Sequence, residues 1–253
     1  PELSRGLGDV YKRQIEIESK DSFNISNNIN ENVAGIAAQA MLKNIDIDFG
    51  LKIIINKGIK PGSGIGSSAA SSAGTVYAIN QLLDSHFDNL DLVRFSMEGE
   101  NFVSGSYHAD NVAPIIFGGI TLVRSITDLD IIKLPSPKSL EVIIIRPNIE
   151  IKTSDSRRVV KKKVKIEKMV QQSANLGAFI SSLYSEDFDL MSRSVVDEVV
   201  EPDRSMLIPE FESIKKISIE SGAFSCGISG SGPSIFALSN NSETSKIILN
   251  NIS

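Results

Sequence analysis

The chain has 253 residues, of which 41% are hydrophobic and 23% charged, and its formal net charge is -5. The acidic balance argues against a nucleic-acid partner, because phosphate binding normally requires a basic excess. A single cysteine, Cys226, excludes a disulfide scaffold, and with only two histidines a structural zinc site is not expected. No apolar run approaches the roughly 18 residues that a membrane span needs, so we expect a cytoplasmic protein with no membrane partner.

Hydrophobic periodicity predicts the elements of the first half of the chain. Residues 1–14 show no clear period. The pattern then predicts strands at 15–18 and 49–55, helices at 32–42, 69–83 and 90–103, an irregular segment at 105–112, and a hairpin from 116–124 and 131–134. Pro135 and Pro137 mark a predicted domain boundary.

The second half is richer in helix. A nearly continuous apolar strand at 140–146 is predicted to be buried on both faces or to lie at the centre of a sheet. Helices follow at 153–168, 170–184, 188–200, 211–221 and 243–252, and strands at 224–228 and 234–238. Strands followed by blocks of helices indicate an α+β fold rather than a regular alternation.

The glycine-rich segment before the second long helix is the strongest chemical signal. Alternate glycines let a ligand approach the backbone closely, and the segment leads into a helix N-terminus, which favours a phosphate. It is neither a Walker A motif nor the dinucleotide pattern. For the glycines alone, a flexible turn that caps the helix is an equal alternative. The sequence of the segment is Pro61-Gly62-Ser63-Gly64-Ile65-Gly66-Ser67-Ser68-Ala69-Ala70.

This segment resembles the central ATP-binding motif of the GHMP small-molecule kinases, in which the loop wraps the nucleotide phosphates. A second match, Gly227-Ile228-Ser229-Gly230-Ser231-Gly232-Pro233-Ser234, resembles the C-terminal glycine motif of the same family. The resemblance implies ATP as cofactor. It also implies an N-terminal ribosomal protein S5 domain 2-like α/β domain at 15–134 and a C-terminal ferredoxin-like α+β domain at 135–253.

A third block resembles the homoserine kinases within that family. Ser104-Gly105-Ser106-Tyr107-His108-Ala109-Asp110-Asn111 follows Glu98-Gly99-Glu100. The resemblance implies that His108, Asp110 and Asn111 bind the substrate L-homoserine, with Asp110, Asn111 and Glu100 as catalytic residues. It also implies that Glu100 holds Mg²⁺ together with a serine of the loop, Ser67 or Ser68, since Mg²⁺ prefers oxygen ligands.

Two arginines extend the predicted substrate site. Arg157, in a Thr153-x-x-x-Arg157 segment, and Arg204 resemble the family's two arginine positions. Arginine binds planar carboxylates through two parallel hydrogen bonds, and an amino acid supplies that carboxylate whereas a sugar does not. By the same resemblance Thr153, Gly230, Ser231 and Gly232 also contact the substrate. Lys161 and the lysines that follow it are interpreted as a solvated helix face.

Several alternatives stay open. Asn32 either touches the adenine ring, as the resemblance implies, or only caps the helix that follows it. Another GHMP kinase, for mevalonate or a sugar, and an inactive ATP-binding fragment are the competing functions. Whether one of these residues is a formal general base stays open, and a homodimer is compatible with the sequence. Residues 1–14 do not resemble the family, and we expect foreign sequence there and a truncated family domain at both ends.

Overall fold

The computed structural model describes residues 2–5, 14–20, 23–149, 151 and 153–252, with only the backbone of 2–5, 153 and 154. The strands are β1 (Glu2–Arg5), β2 (Ile15–Ser19), β3 (Leu51–Ile55), β4 (Ile120–Ser125), β5 (Asp130–Leu134), β6 (Glu141–Ile145), β7 (Ser225–Ile228) and β8 (Ile235–Ser239). The helices are α1 (Val33–Leu42), α2 (Ser67–Leu82), α3 (Asn89–Ser104), α4 (Val112–Phe117), α5 (Thr153–Arg158), α6 (Ile166–Ser185), α7 (Phe188–Ser194), α8 (Glu201–Arg204), α9 (Phe211–Glu220) and α10 (Ser242–Ile252).

The chain divides into two compact units. The first comprises Pro1–Pro61 and Gly66–Lys133, and the second comprises Gly62–Ile65 and Leu134–Ser253. Four residues in the middle of the glycine-rich segment therefore pack with the second unit, although the residues on either side of them belong to the first. Within the described part of the chain, no helix is long and apolar enough to cross a membrane.

The first unit packs α1, α2 and α3 closely against one another beside a small sheet. In that sheet β3 pairs in parallel with β2 and antiparallel with β1. Small residues permit the close helix packing: a Cβ at Gly99 of α3 would lie 2.7 Å from the carbonyl oxygen of Val33. The strand at 2–5 was not predicted, because four residues are too short to show a period and the strand forms by pairing with the edge of β3.

The second unit contains the antiparallel sheet β6-β8-β7. Its core joins Ile143 of β6 with Phe211 of α9 and Ile248 of α10. On the opposite side of β6, Val142 and Ile144 are 57% and 42% exposed. The strand is therefore not buried on both faces, and it lies at the edge of its sheet and not at the centre, so both forms of the prediction are wrong. Its outward positions are apolar by sequence but only its inward positions lie in the core, in the alternation usual for an antiparallel sheet.

Two long predicted helices are each shorter than expected. The helix predicted at 153–168 ends at Arg158, and the backbone N–H of Lys161 donates to Asp203 at 3.0 Å instead of continuing the helix. The helix predicted at 188–200 ends at Ser194. Beyond it Asp197 accepts hydrogen bonds from the backbone of Val199, Val200 and Glu201 and so begins the short helix α8.

Candidate active site

The glycine-rich segment adopts a backbone that requires its glycines. Gly62, Gly64 and Gly66 have φ angles of 72°, 80° and 76°, in the left-handed region that other residues rarely adopt. Gly66 is the N-cap of α2. The first amides of this 16-residue helix therefore emerge directly from the segment, with the positive end of the helix dipole behind them.

The middle of this segment contacts the second glycine motif within the second unit. The hydroxyl of Ser229 donates to the carbonyl oxygen of Gly64 at 3.2 Å, and that of Ser234 donates to Ser63 at 2.6 Å. A Cβ at Gly64 would lie 2.3 Å from the carbonyl oxygen of Gly232, so only glycine fits there. Two motifs more than 160 residues apart in sequence thus form one hydrogen-bonded structure.

Lys57 supports the start of α2, and sequence reasoning missed it. Its Nζ donates to the carbonyl oxygen of Ser67 at 2.9 Å and to the hydroxyl of Ser67 at 3.1 Å. The Ser67 hydroxyl in turn donates to Ile59 at 2.7 Å. Ser67 is therefore engaged by protein groups, which favours Ser68 as the serine near a cation. A lysine two residues after a strand that leads into a glycine-rich segment was the available signal.

Glu100 on α3 is a buried carboxylate with an unused oxygen. The residue is 4% exposed, and its Oε1 has no hydrogen-bond partner within the described residues. Burial raises the pKa of Glu100, while a hydrogen bond from Ser68 and the charges of His108 and Lys57 oppose the shift. A carboxylate and a hydroxyl that leave an oxygen free fit a hard cation such as Mg²⁺.

A cation held by Glu100 and Ser68 would need further ligands from groups other than protein side chains. Among the described residues, no group of three or more His, Cys, Asp or Glu side chains could hold a metal ion. Mg²⁺ is commonly held by one or two carboxylates together with substrate phosphates and water, and does not need a cage of protein side chains. The Glu100 and Ser68 pair fits this kind of site.

A hydrogen-bonded chain orients the predicted substrate residues of the first unit. His108 bonds through Nε2 to the hydroxyl of Ser104 at 2.9 Å and through Nδ1 to Asp110 Oδ1 at 3.0 Å. Asp110 Oδ1 also accepts the backbone N–H of Asn111 at 3.1 Å. The hydrogen bond from His108 holds the pKa of Asp110 below its usual value, with burial opposing this shift.

The order serine, histidine, aspartate invites comparison with a hydrolase, but the surroundings do not fit one. The Ser104 hydroxyl is within 2.9 Å of the carbonyl oxygens of both Glu100 and Ser106. It ends α3, and the negative end of a helix dipole disfavours the oxyanion that such chemistry develops. The chain of hydrogen bonds therefore positions His108 and Asp110. Glu98, which lies on α3 two residues before Glu100, accepts a hydrogen bond from the hydroxyl of Tyr107 at 3.1 Å.

In the second unit, Arg204 lies against the second glycine motif. Its Nη1 donates to the carbonyl oxygen of Gly230 at 2.8 Å, and its Nε contacts that of Ser156 at 3.5 Å. The Ser156 hydroxyl donates to Ser231 at 2.7 Å. Burial lowers the pKa of Arg204, the charge of Arg157 lowers it further, and Asp197 opposes both. Arg157 is thus near enough for its charge to act on Arg204, and the sharing of one anion by the two residues stays a prediction.

Known protein families and their members resemble this chain in sequence. Residues 31–119 match the GHMP kinase N-terminal domain and residues 179–253 match the GHMP kinase C-terminal domain. A homoserine kinase of Methanococcus maripaludis is 39% identical over 225 residues, which cover 88% of this chain and 74% of the relative. The chain belongs to the homoserine kinase family of GHMP kinases. Its α+β fold, predicted from the order of elements and from the motifs, is confirmed.

Other relatives show how much of the family domain the chain spans. A homoserine kinase of Chlorobaculum tepidum is 41% identical over 81% of this chain, but the match covers only 64% of the relative. The crystal structure of a homoserine kinase from Cytophaga hutchinsonii superimposes with a TM-score of 0.93 at 41% identity, covering 99% of this chain and 79% of that one. A mevalonate kinase of L. major, 17% identical with a TM-score of 0.75, shares the fold.

For this member of the GHMP kinases, the structure brings the predicted residues into two groups. In the first unit these are Ser67, Ser68, Glu100, His108, Asp110 and Asn111, which are linked through α2, α3 and the segment between α3 and α4. A Cβ at Gly66 would lie 3.7 Å from Asn111 Oδ1, so Asn111 is beside the N-cap of α2. In the second unit these are Ser63, Gly64, Arg157, Arg204, Gly230, Ser231 and Gly232. The side chain of Thr153 lies outside the described residues.

Asn32 is 2% exposed and caps α1. Its Oδ1 accepts the backbone N–H of Ala34 at 2.9 Å, and its Nδ2 donates to the carbonyl oxygen of Ser26 at 2.7 Å. Both ends of the amide are thus used within the protein. The geometry favours the N-cap interpretation, and contact with adenine stays a prediction.

Proposed function

We propose that this chain transfers the γ-phosphoryl group of ATP to the side-chain hydroxyl of L-homoserine, giving O-phospho-L-homoserine for threonine biosynthesis in the cytoplasm. The observation that carries the choice of a carboxylate substrate over a sugar is Arg204, which donates to Gly230 of the second glycine motif and lies within reach of the charge of Arg157. Identity of about 40% to homoserine kinases supports the same choice.

The arginine pair suits the carboxylate of an amino acid. Two guanidinium groups that repel each other gain most from an anion between them, and each can bind a carboxylate with two parallel hydrogen bonds. Arg204 is pre-oriented by Gly230 and Ser156, so little conformational entropy is lost on binding. Mevalonate also has a carboxylate, whereas galactose has none. The arginine pair therefore favours homoserine over a sugar, and the identity of about 40% to homoserine kinases favours it over mevalonate.

The N-terminus of α2 suits the phosphates of ATP. Its first amides and the nearby charge of Lys57 give a positive environment after the glycine-rich segment. Glu100 and Ser68 would hold Mg²⁺, which when bound neutralises charge on the transferring phosphoryl group. Glu100 must be ionised to do so, and its raised pKa makes that state more costly without a cation.

Asp110 is better suited to orienting the substrate than to removing its proton. A general base works best with a pKa near the working pH, and the bond to His108 moves the pKa of Asp110 in the opposite direction. Asp110 and Asn111 would hold the homoserine hydroxyl by hydrogen bonds. Phosphoryl transfer needs mainly positioning and charge neutralisation, so catalysis without a formal base is consistent with this geometry.

Turnover of ATP with alternative substrates tests the proposal. ADP release is measured with L-homoserine, mevalonate or galactose, and we expect it to depend on homoserine alone. Turnover with mevalonate or galactose instead would identify a different GHMP kinase. Binding of ATP with Mg²⁺, detected by calorimetry, without turnover of any of the three substrates would identify a nucleotide-binding module and overturn the proposal.

A further inference from the structure

Asp203, the neighbour of Arg204, is a buried acid with a distant partner. It is 5% exposed, its Oδ2 accepts the backbone N–H of Lys161 at 3.0 Å, and its Oδ1 pairs with Lys161 Nζ at 3.0 Å. The two residues are 42 positions apart in sequence. The Lys161 side chain is 77% exposed, as expected of a solvated lysine, but the residue lies beyond the end of α5 and two contacts join it to α8.

The segments joined in this way carry the two arginines. Arg157 is in the last turn of α5, four residues before Lys161, and Arg204 ends α8 directly after Asp203. Because the charge of Arg157 disfavours the charged form of Arg204, the two guanidinium groups repel each other. Some attractive contact between α8 and the chain after α5 must oppose this repulsion if the pair is to stay together without an anion.

The contact of Arg204 with Ser156 is weaker than the contacts of Asp203 with Lys161. Arg204 Nε reaches the carbonyl oxygen of Ser156 only at 3.5 Å, the upper limit of a hydrogen bond. The hydroxyl of Ser156 bonds to Ser231 and so does not hold α8 itself. Asp203, by contrast, holds both the backbone and the side chain of Lys161 with charge-assisted bonds.

We propose that Asp203 and Lys161 form a clamp that sets the separation of the Arg157 and Arg204 guanidinium groups and thereby the affinity for the substrate carboxylate. For the identity of the substrate, the clamp rests on the proposed function. Both residues are positioning residues, since they act through the arginines. Asp203 supplies the backbone contact as well as the ion pair, so its loss weakens the clamp more than the loss of the Lys161 side chain.

Kinetics separate the clamp from a general effect on the fold. Displaced arginines bind the substrate carboxylate less well in the ground state and in the transition state alike, and such a loss raises KM. Because a misplacement of about 1 Å can cost roughly 10²-fold, we expect Asp203→Asn to raise the KM for homoserine at least about tenfold. Lys161→Met should raise it less and Lys161→Arg should restore it, with the KM for ATP unchanged in all three. Lys162→Met, at an exposed neighbouring position, is the matched control and should behave as the wild type.

A double-mutant cycle tests whether the effect runs through the arginines. If the clamp acts by placing Arg157, Asp203→Asn should add no further increase in KM to a chain that already carries Arg157→Ala. Full additivity of the two changes, or equal rises in the KM for ATP and for homoserine, would show that Asp203 serves only the general fold and would overturn the clamp.

An NMR arm tests the clamp without any turnover. The Lys161 amide should exchange with solvent at least about tenfold faster in Asp203→Ala than in wild type, and the Nε–H signals of Arg157 and Arg204 should broaden or shift. Lys162→Met should leave these signals unchanged. Unaltered exchange and arginine signals in Asp203→Ala would disprove the clamp. A wild type that fails to turn over homoserine would count against the proposed function alone, because this arm needs no substrate.

Discussion

The candidate site of the first unit contains a buried acid, whereas that of the second unit contains two positively charged arginines. In the first unit, Glu100 is 4% exposed, and one of its carboxylate oxygens has no partner among the described residues. Burial is the largest cause of its raised pKa. In the second unit, Arg204 is partly buried and is placed near another cation, Arg157, while protein carbonyl groups hold it in position.

The difference indicates what each site gains from its ligand. A cation at Glu100 would relieve a desolvation cost, which is large for a buried charge without a partner. An anion at Arg157 and Arg204 would relieve a repulsion between charges that are still partly solvated, which is smaller because water screens it. Removing Glu100 should therefore change activity more than removing one of the arginines.

The largest expected effect is that of Glu100→Gln. The amide keeps the size of the side chain but cannot supply the negative charge that Mg²⁺ requires, so we expect kcat to fall by about 10³-fold, the scale typical of a lost transition-state electrostatic contact. Steady-state turnover at several Mg²⁺ concentrations measures this. Glu98→Gln, on the same helix, is the control and should change kcat by less than about threefold, the effect of a surface substitution. Near-normal turnover of Glu100→Gln would show that the cation is held elsewhere.

The next effect is that of Arg204→Ala, which should act on homoserine rather than on ATP. Loss of a bidentate contact to a carboxylate costs about 2–5 kcal/mol, so kcat/KM for homoserine should fall by roughly 10²-fold or more. Arg204→Lys keeps the charge but not the planar fork and should recover only part of that loss. Arg158→Ala is the control, because Arg158 is exposed and pairs with Asp155.

A fall in kcat/KM for ATP equal to that for homoserine would contradict this assignment of Arg204. It would also remove the contrast between the two sites, because both would then act on the nucleotide.

The sequence predicted the elements well where one physical signal dominated. The helix capped by Asn32 and the strand ending at Ile55 were found because periodicity, caps and β-branched residues agreed. The helix predicted through Lys168 failed because its break depends on a contact with Asp203, 42 residues away. No local pattern could reveal that contact.

The same limit applies to the candidate site. The glycine motifs and Glu100 could be found because their residue types are informative at fixed spacing. The contact of Ser229 with Gly64, the role of Lys57 beside Ser67 and the hydrogen bonds of His108 are tertiary properties. They depend on which segments meet in three dimensions, and that information is spread over the whole chain.

The smallest expected effect is on stability, and it follows from the sign of the Glu100 pKa shift. Because burial raises the pKa of Glu100 in the folded protein, the folded state binds this proton more tightly than the unfolded chain does. The stability that the protonated Glu100 contributes to the folded protein is therefore fully present below the pKa of this carboxyl in the unfolded chain. It is lost as the pH rises from there through the raised folded-state pKa, and above that value the chain carries the full cost of the buried charge.

Glu100→Gln cannot titrate at this position, so it should be more stable than wild type at neutral pH and lose this advantage towards acid pH. We expect a difference of about 1–3 kcal/mol in the free energy of unfolding, the cost of leaving a buried polar group unsatisfied. Urea unfolding in metal-free buffer from acid to neutral pH measures it, with Glu98→Gln as the control. A difference that does not grow with pH would mean that the buried carboxylate is already compensated by Ser68, Lys57 and His108, and the contrast with the arginine site would then disappear.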